Sequence, residues 1–278
     1  MKNNRKIILI PIDFGIYSYK AMDFAQRLSN EIKGEIQLIH VVYSESWWSE
    51  LFSTSDIITQ AESKLKAYVS EFNLPENTVC TVLTGTRYKK ILEYADTISP
   101  RYIIMADNFP GTDADKKLGP TLSEIITISK HPIVTVRPGI DTVFKHLLLP
   151  LDLANETDIK LNNSVEIAKN YGSTIHLVSV LFGKTKSSNK KIVEKIEKHQ
   201  RRYESANIPY TISLIEKGNI LAYREILKVA DEKKCDSILM MTHNEKSFDT
   251  YLGTFASHII NKANIPVITL TTDSSQNI

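Results

Sequence analysis

The chain says nearly everything twice. Lys6-Ile-Ile-Leu-Ile-Pro-Ile-Asp13 returns as Lys145-His-Leu-Leu-Leu-Pro-Leu-Asp152. Gly85 heads a segment reaching Ile91-Leu92 and Ala95-Asp96, and Gly218 heads one reaching Ile226-Leu227 and Ala230-Asp231. Leu118-Gly119 and Ser123 are answered by Leu252-Gly253 and Ser257. Gly119 to Gly253 and Pro132 to Pro266 are both separations of 134 residues. Ordered matches at one offset imply a duplicated unit that folds by one plan. Pro138-Gly139 interrupts any strand and sets the boundary. The expected domains are therefore residues 1–138 and 139–273, with 274–278 as a disordered tail.

Within one unit, apolar runs alternate with helical stripes. Ile7 to Ile12 is continuously apolar, which suits a strand buried on both faces of a parallel sheet. Tyr17 to Asn30 places Ala21, Phe24, Ala25 and Leu28 on one helical face. Strands follow at Glu35 to Val42, Thr78 to Leu83, Tyr102 to Ala106 and Ile133 to Val136, separated by helices. The second half repeats the order, with strands near Leu147, Thr174, Tyr210, Ser237 and Val267. Alternation of this kind predicts right-handed crossovers and two doubly wound, Rossmann-like α/β sheets of five parallel strands.

Bulk properties exclude several classes. Net charge is +2, from 34 basic and 32 acidic residues, which argues against a nucleic-acid binder. Cys80 and Cys235 have no CxxC partner, against a disulfide framework or zinc site. No window reaches the roughly 18 apolar residues of a membrane span. The expected location is cytoplasmic. The seven histidines lack metal-type spacing and read as packing or surface residues. There is no G-x4-G-K-[ST], GxSxG or HExxH.

Ligands of open parallel sheets bind beyond the carboxyl ends of the strands. Three features meet there. Asp13 and Asp152 follow Pro11 and Pro150 at the ends of the first strands. Each carboxylate can take a ribose hydroxyl, or simply cap a turn. Gly119 and Gly253 open the last helix of each unit, with Thr121, Ser123, Thr254 and Ser257 beside them. A glycine there lets a phosphate approach helix amides, or only tightens a turn. Backbone groups near Val41 can meet an adenine edge, as at any strand end.

Together these residues resemble the universal stress protein family. The ordered markers are Pro-Ile-Asp13 and Pro-Leu-Asp152, Ile39-His-Val-Val42, Ile238-Leu-Met-Met-Thr-His243, the Leu-Gly and Ser pairs, and His131-Pro-Ile-Val-Thr-Val-Arg137. The resemblance implies an adenine nucleotide alpha hydrolase-like fold, with domains paired through their last strands as an intramolecular pseudo-dimer. It implies ATP, with Mg only if ATP binds, for members that keep a G-x2-G-x9-G-[ST] loop. Here the first two glycine positions fall on Ala106 and Phe109, and Pro120 follows Gly119. In the second half they fall on Met241 and Asn244, but Gly253-Thr254 survives. The second half is thus the expected nucleotide site.

The expectation is a stress-response regulatory or binding protein, not a dedicated enzyme. The alternative is an ATP-binding member with slow hydrolysis or nucleotide-gated switching. Trp47-Trp48 either cap the sheet or offer a protein-partner surface, and a homodimer of the tandem chain is a further expectation. The basic stretch from Lys184 to Arg201 reads as a solvated helix face.

Overall fold

The computed structural model describes residues 6–43, 53–106, 118–136, 143–151, 158–181, 186–216, 221–242 and 252–274. Trp47, Trp48, Phe109, Asp152 and Asn244 lie outside the described residues.

The first half runs β1 (Ile7–Pro11), α1 (Ile16–Ile32), β2 (Glu35–Val42), α2 (Thr54–Glu71), β3 (Val79–Thr84), α3 (Arg87–Ile98), β4 (Tyr102–Ala106), α4 (Pro120–Ile128) and β5 (Ile133–Val136). The second runs β6 (His146–Pro150), α5 (Asp158–Tyr171), β7 (Thr174–Leu181), α6 (Lys186–Ser205), β8 (Tyr210–Glu216), α7 (Ala222–Glu232), β9 (Ser237–Met241), α8 (Thr254–Lys262) and β10 (Val267–Leu270).

The sheet order is β3-β2-β1-β4-β5-β10-β9-β6-β7-β8. Each half is a parallel five-stranded unit, and the halves join where β5 meets β10 antiparallel. Val134 faces Ile268 across that seam. The expected pairing therefore makes one ten-stranded sheet, which leaves neither β5 nor β10 as an exposed edge. Thr135 Oγ1 donates to Val267 O at 3.1 Å and Thr269 Oγ1 to Ile133 O at 3.4 Å, so each strand also bonds the other through a side chain.

Strand alternation divides the core into two layers. Ile8 and Ile10 point to the side covered by α1 and α2, and Leu9 to the side covered by α3 and α4. All three are fully buried, as a continuous apolar run requires. Phe144 ties the layer across the domain boundary. It is wholly buried against Phe24, Tyr102 and Tyr171, with ring centroids 5.1 to 6.0 Å apart. Lys145 adds an ion pair to Glu31.

Local turns follow the repeat. Lys33 and Gly172 take left-handed angles after α1 and α5, as Asn73 and Asn207 do after α2 and α6. These matched turns give a residue-by-residue register between the halves. At Gly34 a side chain is impossible, because a Cβ would lie 2.6 Å from Lys6 O. One expectation needs correction. Ser274 does not belong to a disordered tail. It is buried in a 3-10 turn (Thr272–Ser274), where its Oγ accepts the Thr271 N–H at 2.9 Å.

Candidate functional site

In each half the strand order reverses between the first strand and its fourth-strand neighbour, and a cleft opens at such a switch point. The first half carries a cavity of about 250 Å³ there. Pro11, Asp13, Val41, Gly119 and Thr121 all line it, so five sequence-predicted residues from three separate segments meet in one place. Ile91, Met105 and Leu122 supply apolar wall. Ser123 is predicted but absent from the lining. Its N–H donates to Gly119 O at 2.9 Å and its carbonyl accepts Thr127 Oγ1, so it serves the first turn of α4.

Asp13 does the local work that the simpler reading assigned to it. Its Oδ1 accepts the Gly15 N–H at 2.8 Å and the Ser18 hydroxyl at 2.5 Å. Ser18 in turn accepts the Asp13 N–H at 3.1 Å. Both bonds converge on one oxygen. The carboxylate is exposed at the cavity mouth, and Oδ2 has no hydrogen bond among the described residues. The two roles are compatible, because the local bonds hold the carboxylate in place for a ligand.

Backbone alternation turns the polar groups of Val41, a buried residue, toward the β1 side of the strand. The Ile12 N–H donates to Ile39 O at 2.8 Å, and pairing with β1 ends at Pro11↔Ile39. Two residues on, the Val41 N–H and C=O point the same way, past the last paired residue of β1. Among the described residues that leaves one donor and one acceptor side by side at the cavity wall.

His40 lines the cavity as well. Its Nδ1–H donates to Ile12 O at 2.7 Å, since a carbonyl can only accept. Burial holds the imidazole below its ordinary pKa, partly offset by that bond. A neutral ring with a committed Nδ1–H presents Nε2 as an acceptor. Phe14, at φ 61°, packs against the His40 ring in a tilted arrangement with centroids 4.5 Å apart.

Gly119 caps α4 with φ −56° and ψ 146°, angles open to any residue. A Cβ there would meet nothing within 4 Å. Neither backbone strain nor packing therefore demands glycine, and what it leaves is free space beside the cavity. Pro120 at the first helical position has no N–H to offer. Arg87, at the first position of α3, completes the rim. Sequence reasoning missed it. The available signal was its place at a helix start directly after a strand end, among the elements that converge on the switch point.

In the second half, Pro150 ends β6 and its carbonyl accepts the ammonium of Lys160, a buried residue of α5. Met241 ends β9 and Gly253 caps α8. Thr254 begins that helix, with an exposed side chain, and Ser257 N–H donates to Gly253 O at 2.9 Å. A Cβ at Gly253 would stand 3.4 Å from Thr242 O, ordinary contact. Residues 152–157 and 243–251 lie outside the described ones.

No group of three or more metal-ligating side chains occurs among the described residues. Cys235 is a buried thiol, with burial the main force pushing its pKa up to about 12, so it is held protonated. Among the described residues no helix is long and apolar enough to cross a membrane.

A doubly wound sheet of order 3-2-1-4-5 stands here twice in one chain, and the first copy carries a cleft at its switch point. The universal stress protein family model matches residues 4–137 and again 144–270, and the chain belongs to that family as a tandem member. A universal stress protein from Archaeoglobus fulgidus DSM 4304 is similar in fold, with TM-score 0.74 and 16% identity, over 96% of this chain and 99% of that one. A functionally unknown protein from Pseudomonas aeruginosa PAO1 gives 0.66 and 14%, over 97% and 94%. A putative universal stress protein from Pseudomonas aeruginosa UCBPP-PA14 gives 0.67 and 14%, over the same shares. At these identities the likeness concerns the fold. No curated protein matches the chain.

Proposed function

We propose that this chain is a regulatory ligand-binding protein, not a dedicated enzyme, and that its first cleft takes an adenine nucleoside or nucleotide. The observation that carries the reading is the N–H and C=O of Val41, without a hydrogen bond to β1 among the described residues and set in one cavity with the Asp13 carboxylate and the open space at Gly119. A donor and acceptor side by side match the adenine edge, and a carboxylate matches ribose hydroxyls. Among the described cavity groups the one hydroxyl–carboxylate contact, Ser18 to Asp13, is a local bond at the start of α1 made by a buried serine, which supports recognition over covalent catalysis. Part of the same proposal is that the protein works in the cytoplasm.

Calorimetric titration of the full chain with adenosine, AMP and ATP tests this. Binding should vanish in Gly119→Val, which fills the free space, and persist in Gly253→Val. The alternative reading, ATP held at the second half, draws on the exposed Thr254 that follows Gly253. It requires the opposite pattern, with loss in Gly253→Val only. Absence of heat at millimolar concentrations of all three ligands would defeat both.

A further inference from the structure

We infer that the first cleft is specific for a nucleoside monophosphate, and that Arg87 holds the phosphate in place of the start of α4. The inference rests on the adenine reading of that cleft and goes on to its anion.

The two halves distribute phosphate-binding groups in opposite ways. In the second half the helix after the fourth strand begins with Thr254, which offers an amide and a hydroxyl at the first position. In the first half that position is Pro120, which offers neither. The helix after the third strand reverses the trade. It begins with Arg87 in the first half and with Ala222 in the second. The two positions correspond, because each lies equally far ahead of a matched left-handed residue, Ser99 and Lys234. Where the helix start has lost a donor, a cation lines the same cavity from the start of the neighbouring helix, α3.

Arg87 is exposed at the cavity rim and has no hydrogen bond or ion pair among the described residues. Its electrostatic influence falls on His40, whose protonation it opposes. Among the described residues it therefore shares the cavity with a neutral imidazole and one carboxylate, Asp13. An anion entering here is repelled by Asp13 and, among the described residues, has one cation to meet. A guanidinium grips two oxygens of one phosphate through its planar fork. A polyphosphate instead needs a row of backbone amides, and Pro120 breaks that row at the helix start. At about 250 Å³ the cavity is smaller than the ~300 Å³ and upward of drug-sized sites, which suits a nucleoside inside with one phosphate at the rim.

The test is isothermal titration of the full chain with adenosine, AMP and ATP, in wild type, Arg87→Ala and Arg87→Lys. Wild type should bind AMP about tenfold more tightly than adenosine, as a charge-assisted pair provides, and ATP no more tightly than AMP. Arg87→Ala should bring AMP down to the adenosine level and leave adenosine unchanged, with Arg87→Lys between. Equal affinity for adenosine and AMP in wild type overturns the inference and leaves the adenine reading standing. So does an AMP preference that survives Arg87→Ala, or ATP binding tenfold above AMP. If none of the three binds, the adenine reading falls and the inference with it. Because Arg87 is exposed, an unchanged thermal melting curve in Arg87→Ala ties any loss to binding.

Discussion

The same pair of helices meets the same face of the sheet in both halves, with different contents between them. Between α1 and α2 the seam is filled by rings. Tyr19 lies 5.0 Å from Tyr68 and 5.5 Å from Phe72, and Gln26 donates to Phe72 O. Counted from the matched left-handed turns, the corresponding residues between α5 and α6 are Asp158, Arg202, Ala206 and Val165. There the rings are replaced by an Arg202–Asp158 ion pair at 2.6 Å and a surface groove of about 660 Å³. The strands beneath stay apolar and buried in both halves. Duplication has thus kept the layer that must exclude water and let the outer seam drift. An aromatic seam and an ion-paired one both hold two helices on a sheet, but only the first adds apolar burial.

The comparison can be broken most forcefully where the halves join. Ile268→Asp places an unpaired carboxylate at a fully buried position opposite Val134. It should cost about 4 kcal/mol or more in urea unfolding. A wild-type midpoint would mean that the two halves stand independently.

A smaller effect is expected at His199, which occupies in α6 the place Leu65 holds in α2. It is 5% exposed, and neither ring nitrogen has a hydrogen-bond partner among the described residues. Burial, helped by the charges of Arg202 and Lys198, lowers its pKa to about 4. The unfolded histidine takes a proton near 6.5, so the unfolded state binds more protons between those values and stability falls as pH drops from 6.5 to about 4. The full swing is about 3 kcal/mol. His199→Leu should remove this slope and raise the melting temperature at pH 5. An unchanged pH profile would show that the imidazole finds a proton acceptor when charged.

Phe72→Ala should then cost about 2 kcal/mol, less than a fully buried phenylalanine because Phe72 is half-buried. The reciprocal Ala206→Phe, which adds a ring to the empty seam, should shift stability by no more than ~0.5 kcal/mol in either direction. Equal and opposite changes would mean the two seams are interchangeable. The smallest effect belongs to Asp13→Ala, about 1 kcal/mol for the lost bonds to Gly15 and Ser18. Measured beside ligand titration, it separates the local role of that carboxylate from recognition.

The strands and their order were legible because burial on both faces leaves long apolar runs, and because every landmark recurs. Tyr102–Ala106 and Val267–Leu270 emerge with the expected limits. Five of the cleft residues were legible for the same reason, since strand ends and a helix-opening glycine carry fixed positional meaning. Arg87 was not, because one arginine on a helix looks like any solvated charge until the fold shows which wall it stands on. The weight given in advance to Gly253 over Gly119 followed from the residue after each glycine. The space around them, open at Gly119 and bounded by Thr242 O at Gly253, is a property of tertiary packing that no local pattern encodes.

The seam between β5 and β10 also sets a schedule for biogenesis. Translation delivers β5 long before β10, with the whole of β6 to β9 between them. At ~5–20 residues per second the ribosome needs on the order of ten seconds to bridge that gap. Throughout it, the Val134 strand lacks its final neighbour and offers an apolar, hydrogen-bond-hungry edge to anything nearby. Crowded polysomes hold identical nascent chains at the same stage, so the hazard is exchange of β10 between two copies. Slow synthesis should favour such swapped dimers, and a chaperone that shields strand edges should suppress them.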